Sequence, residues 1–137
     1  MNLKESLRRV NLFEHLPPEL VDQIIDRGST RRVSAGAVLA EQGARDAGLQ
    51  LLLEGSATVH VNDQQVGSLG AGDYFGEMSL LDESTRTATV VAGPDGATSF
   101  MVSPLSFDEL LDRQPEIARL LLKVLTARIR RLESGSA

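Results

Sequence analysis

The chain has 137 residues, no cysteine, two histidines and a formal net charge of −5. That length fits one ordinary domain with a real core and leaves no room for a second large one, while the acidic balance argues against a nucleic-acid surface, which neutralises phosphates with many Lys and Arg side chains. Disulfides, thiolate metal sites and iron–sulfur ligation are excluded for want of thiols, and His15 and His60, in different segments, cannot alone build a metal cluster.

At the N-terminus, Met1 to Ser6 lacks the apolar centre of a signal peptide, and no apolar run downstream approaches the length of a membrane span. A soluble, cytoplasmic chain is expected. Leu3, Leu7, Val10, Leu12, Phe13 and Leu16, then Leu20, Val21, Ile24 and Ile25, recur at spacings of three and four and predict short helices. Pro17-Pro18 should break them, with Pro18 near the start of the second.

From Arg32 the pattern becomes short apolar runs punctuated by glycine: Val38 to Ala40, Leu49 to Leu53 and Ala57 to Val61 read as strands. Asn62-Asp63 between Val61 and Val66 is turn chemistry, and Gly67, Gly70 and Gly72 punctuate the chain beyond it. Thr87 to Ala92 and Thr98 to Val102 read as two more strands, joined by a turn at Gly93-Pro94-Asp95-Gly96. Short strands at this spacing predict a small antiparallel barrel or jelly roll. Helix returns where Ser103 can cap and Pro104 can occupy the first position; Pro115 starts another helix running to about Leu132 or Glu133, and Ser134 to Ala137 should fray.

The stretch that carries chemistry is Gly76 to Val90. It sets a glycine, an acid and an arginine around one short turn. A phosphate needs backbone N–H groups it can approach closely and a cation to balance its charge; Gly76 with a short helix start supplies the first and Arg86 the second. Arg86 has an alternative use, an ion pair with Glu77, Asp82 or Glu83. Glu77 cannot itself hold phosphate, because two anions repel, so its useful role is to accept from a hydroxyl. The alternative for Glu77 is a charge favoured at a helix N-terminus.

Phe75 to Leu80, a variable turn, then Arg86 to Val90 resemble, half for half and at the same separation, the phosphate-binding cassette of the cyclic-nucleotide-binding domain family, to which catabolite activator proteins, gated channels and protein kinase regulatory subunits belong. Glu41-Gln42-Gly43, Leu51 to Gly55 and Leu69 to Phe75 resemble further stretches of the family's β-roll, although turn formation by itself explains most of their glycines. The implied fold is mainly β with flanking helices: an antiparallel β-roll, or jelly-roll-like double-stranded β-helix, between N-terminal helices and a C-terminal helical lid. One domain over 1–137 would then comprise N-terminal helices over about 3–27, the roll over about 32–103 and C-terminal helices over about 104–133. The loop Ala44 to Gly48 departs from the family pattern, and Gln50 stands where a Tyr is common. Being distant in sequence from the cassette, that loop is expected to affect loop detail more than ligand binding.

The resemblance implies a cyclic nucleotide, cAMP or cGMP, as ligand, with no cofactor and no metal. Gly76, Glu77, Met78, Ser79, Arg86, Thr87 and Ala88 would form the ligand site, with Arg86 on the exocyclic phosphate oxygens, N–H groups around Ser79, Thr87 and Ala88 completing the cradle, and Glu77 on the ribose 2′-OH. In the family Thr at this position is common where cGMP is favoured, its hydroxyl reaching a syn guanine, and Ala in kinase-type cAMP sensors, but bacterial cAMP sensors also use Ser or Thr, so Thr87 does not decide the base; β-propensity also accounts for it. Leu69, Met78 and Leu80 are candidates for the base wall, with ordinary core packing as the alternative for each.

In the last helix, Ile117, Leu121, Val124, Leu125 and Leu132 project to one face, with Arg128 inside it. Arg128 and Leu132 are lid candidates. Leu122 and Ile129 form a second strip able to meet a partner helix, so a homodimer or an output protein is expected through this helix. The expected function is a non-catalytic sensor whose final helix carries the signal, with no direct DNA binding. The chain ends at Ala137, either as a free-standing sensor or as an excised domain. The alternative is an interaction module of the same fold whose pocket is degenerate or takes another ligand, such as a cyclic dinucleotide. A cupin-like enzyme is disfavoured, because it needs clustered His and carboxylate ligands.

Overall fold

A computed structural model describes residues 2–10, 12–45, 48–77, 79–82 and 84–136. Helix α1 (Leu3–Arg8) starts where the Asn2 side-chain oxygen accepts from Glu5 N–H at 2.8 Å, and α2 (Pro18–Arg27) starts at the proline whose missing N–H would have no helical partner there. The stretch between them is not a continuation of α1. Val10, Phe13 and Leu16 each bond back three residues, and these tight turns bury Val10, Leu12, Phe13 and Leu16 completely or nearly so.

Strands β1 (Ser29–Val33), β2 (Val38–Ala40), β3 (Leu49–Val61), β4 (Gln64–Gly70), β5 (Tyr74–Phe75) and β6 (Thr89–Val102) form one antiparallel sheet in the order β1-β6-β3-β4, with β2 on β6 and β5 on β3. The roll thus begins at Ser29, ahead of the predicted Arg32. Asn62 and Asp63, at φ 51° and 65°, make the two-residue turn of positive φ that closes the β3–β4 hairpin.

Two predicted breaks are absorbed into longer strands. β3 runs unbroken through Gly55, and β6 runs through Gly93 to Gly96, where a turn between two strands was expected. The register moves from Gly55↔Ala97 to Ala57↔Ala92, so Ser56 alone stands opposite residues 93–96. The Gly-Pro-Asp-Gly stretch is therefore a large bulge, a position where a strand tolerates proline and positive φ.

Alternation in β3 separates two cores. Leu49 and Leu51 point to a helical side, where they join Leu7, Phe13, Val21, Ile24, Phe100, Phe107, Leu110 and Ile117. Leu52 and Ala57 point into the roll with Leu39, Ala40, Val90, Ala92 and Ala97. Short α3 (Ser79–Asp82) leads out of the cassette; α4 (Pro104–Arg113) is capped by the Ser103 hydroxyl accepting from Ser106 N–H at 3.1 Å. Arg27 ties α2 to Glu109 of α4 at 2.8 Å, and the Phe13 and Phe107 rings lie 6.0 Å apart. Helix α5 (Pro115–Ser136) extends through Ser134 and Gly135, past the predicted end. Among the described residues no helix is long and apolar enough to cross a membrane.

Candidate functional site

Gly76 sits immediately after β5 with φ +81°, a left-handed backbone that favours glycine. A Cβ there would also collide with the Gly48 carbonyl oxygen and with Arg86 Nη1, so the missing side chain is what lets three segments of chain meet. Arg86 is only 6% exposed. Its Nη1 donates to Gly48 O at 2.8 Å, and its guanidinium carbon lies 5.6 Å from the centre of the Phe75 ring, within cation–π range. The backbone of Arg86 is held too: its N–H donates to Ala44 O at 2.9 Å and its carbonyl accepts from Gly43 N–H at 2.8 Å.

These bonds join both ends of the loop at Ala44 to Gly48 to the cassette in space. Far from the cassette in sequence, it touches Arg86 through main chain and side chain alike, because the β2–β6 pairing (Ala40↔Val90) brings the start of the loop beside residue 86 and the β3–β5 pairing (Gln50↔Phe75) sets its end, Gly48, against Gly76 and Arg86. Asp46 and Ala47 of that loop lie outside the described residues. Gln50, in place of the common Tyr, is buried and donates from Nε2 to Leu39 O at 2.8 Å, fastening β3 to β2. The same turn is pinned at its other side, where Gln42 N–H donates to Thr89 Oγ1 at 2.9 Å and the Gln42 amide exchanges two bonds with Asn62.

A cavity of about 360 Å³ opens beside Arg86. Ala40, Val59, Leu69, Phe75 and Val90 give it an apolar wall; Glu77, Ser79, Arg86 and Thr87 give it polar groups. One cation and one carboxylate are the charged side chains among its described lining residues, a combination suited to a ligand that carries both an anion and a hydroxyl. Its size falls within the range of ordinary small-molecule pockets.

Gly76, Glu77, Ser79, Arg86, Thr87, Ala88 and Leu69 all border this cavity. Met78 lies outside the described residues. Ser79 N–H donates to Gly76 O at 3.1 Å, closing the first turn of the cassette. Leu80 is not on the wall: it is 1% exposed and packs in the helical core. Arg128 and Leu132 do not border the cavity, and Leu132 is 73% exposed. Asp82 accepts from Ser84 N–H at 3.0 Å, and the Ser84 backbone N–H and hydroxyl hold its carboxyl below the ordinary value of 3.8. His15 lies beside Glu14 at 3.4 Å and His60 shares a 2.8 Å hydrogen bond with the Thr58 hydroxyl. Among the described residues no group of three or more His, Cys, Asp or Glu could hold a metal ion.

The sequence reading missed Ala40, Val59, Phe75 and Val90 as wall residues and Ser84 and Thr85 at the polar end. Phe75 was legible as part of the cassette but not as the ring beneath the guanidinium. Val59 and Val90 carry no local signal; they meet because the register pairs them across β3 and β6.

A family model, "Cyclic nucleotide-binding domain", matches residues 30–114. A cyclic nucleotide-gated potassium channel of Rhizobium etli is 34% identical over 119 residues, covering 87% of this chain and 33% of that protein. A cAMP-dependent protein kinase regulatory subunit of Mycosarcoma maydis is 40% identical over 99 residues, covering 69% of this chain and 18% of that protein. This chain therefore spans a third or less of the length of these curated relatives. The crystal structure of the N-terminal domain of a transcriptional regulator from Streptomyces coelicolor superposes with a TM-score of 0.84 at 25% identity, covering 96% of this chain and 95% of that one. The chain belongs to the cyclic nucleotide-binding domain family, and its six-stranded antiparallel sheet with flanking helices is that family's β-roll.

Proposed function

We propose that this member of the cyclic nucleotide-binding family is a non-catalytic sensor that binds cAMP or cGMP in the cavity beside Arg86 and passes the signal on through α5. The observation that carries the reading is a buried arginine beside a glycine-initiated turn, sharing one cavity with the Glu77 carboxylate. The guanidinium pairs with the exocyclic phosphate oxygens, and backbone N–H groups around Ser79, Thr87 and Ala88 complete the cradle. Glu77 accepts from the ribose 2′-OH. Val59, Leu69 and Phe75 offer the apolar surface that a purine needs.

In this reading the whole chain forms one domain, with no metal, no cofactor and no DNA contact of its own. Signalling follows from differential affinity: the ligand favours whichever position of α5 lets Arg128 and Leu132 approach the base, and only that difference moves the helix. Calorimetric titration of the intact chain with cAMP and with cGMP is the direct test. No heat of binding for either nucleotide at millimolar concentration removes the reading.

One observation favours a second reading, an interaction module of the same fold. Leu122 and Ile129 are 64% and 55% exposed along α5. An apolar strip of that kind suits a partner helix, either a second copy of the chain or an output protein. The same titration, run alongside sedimentation of the chain with and without nucleotide, separates a sensor from a docking module.

A further inference from the structure

Helix α5 carries a second chemistry on its outer face. Ile117, Leu121 and Val124 bury one side of the helix, while Arg119, Leu122, Lys123, Thr126, Ala127 and Arg130 line a surface groove along the other. All six are exposed, and Ile129, seven residues after Leu122, continues the apolar strip. The Thr126 hydroxyl donates to Leu122 O at 2.7 Å, so its polar group is used within the helix. Five basic and two acidic residues give α5 a positive balance in a chain of net charge −5. The two acids, Glu116 and Glu133, stand in the first turn and towards the far end, and neither lines the groove. Among the described residues, Arg119, Lys123 and Arg130 meet no carboxylate within ion-pair distance.

A second copy of the chain is a poor match for this face. In a parallel, in-register pair with Leu122 and Ile129 in the seam, Arg119 also falls in the seam and is set against Arg119 of the copy. Lys123 and Arg130 flank the seam, where the copy offers Ala118 and Leu125. No acid meets any of the three cations, and like charges brought together repel. The strip is also thin for a lipid surface, with two large apolar residues and no aromatic. We propose that this face docks an acidic amphipathic helix of another protein, with apolar residues seven apart against Leu122 and Ile129 and Asp or Glu beside Arg119, Lys123 and Arg130. The cations select the partner and the apolar strip holds it. This rests on α5 being a docking helix and supplies the partner's chemistry; it asks nothing of the cavity beside Arg86.

The test uses the intact chain, isotopically labelled and without nucleotide, titrated with a synthetic helical peptide about three heptads long that carries Leu in the seam and Glu at the flanking positions. Saturable shifts are expected at the Arg119, Leu122, Lys123, Thr126 and Arg130 amides. The same peptide with Lys in place of Glu should bind about tenfold more weakly or worse at matched ionic strength. Lys123→Glu with Arg130→Glu should lower affinity for the Glu peptide by a similar factor, and Leu122→Ser gives an independent loss through the apolar strip should the double variant fail to fold. Equal binding of both peptides overturns the acidic chemistry and leaves α5 a docking helix. If neither peptide shifts the α5 amides, or if both sets of variants bind as well as the wild type, the docking reading of this face fails with it. Sedimentation of the chain alone covers the self-paired case: a dimer that Leu122→Ser dissociates gives the face to a second copy and overturns the proposal. Binding to phosphatidylserine vesicles that the double variant loses, without binding of the Glu peptide, gives the face to a lipid surface and overturns it equally.

Discussion

The two sides of β3 are built from different stock. On the helical side Leu7, Phe13, Ile24, Phe107 and Ile117 are fully buried, and large side chains fill the space between helices and sheet. Inside the roll the buried residues include Ala40, Ala57, Ala92 and Ala97, and a cavity of about 360 Å³ lies beside them. Both faces are apolar. The difference is volume: one side is filled, and the other leaves a cavity of the size small molecules occupy.

Breaking that division should show first in stability. Phe107→Ala removes a ring that is fully buried and 6.0 Å from Phe13, and should cost about 3–5 kcal/mol in denaturant unfolding. Leu80→Ala is the sharper test, because Leu80 belongs to the cassette by sequence and to the helical core by packing. It should cost about 2–5 kcal/mol of stability. A loss of affinity with unchanged stability would return Leu80 to the ligand wall.

Arg86→Ala probes the other side. Cyclic-nucleotide affinity should fall at least tenfold, about 1.4 kcal/mol, with the domain still folded by circular dichroism. Retained affinity would leave the phosphate role of Arg86 without support. A smaller effect is expected for Glu77, where a 2′-deoxy analogue should bind less well than the ribonucleotide, since it leaves the carboxylate short of one hydrogen bond.

The smallest expected effect is acidic. Asp82 has a carboxyl held below its ordinary value of 3.8 by Ser84, so its contribution to the fold is complete above that ordinary value. It fades as pH falls through the lower folded value. Hydrogen exchange at the Ser84 amide, followed against pH, should lose protection only in that acidic window, and Asp82→Asn should abolish the pH dependence.

Much of the fold was legible along the chain because its signals are local. Pro18 and Pro104 begin helices, Ser103 caps α4 and Asn62-Asp63 closes a hairpin, each through the conformation of one or two residues. Gly55 and the Gly93 to Gly96 stretch misled for the same reason: positive φ at Gly55 and Gly96 is as good for a bulge inside a strand as for a turn between strands, and only the partner strand distinguishes them.

The candidate site divides along the same line. Gly76, Glu77 and Arg86 could be singled out from residue type and spacing, since an anion needs close backbone and a cation wherever they are placed. That Arg86 is buried over Phe75 and bound to the Gly48 carbonyl, and that Val59 and Val90 form a wall, depend on strand pairing. Spacing reports which chemical groups are available. Register decides which of them meet, because in an antiparallel sheet residues far apart in sequence become neighbours only through the long-range pairing of strands.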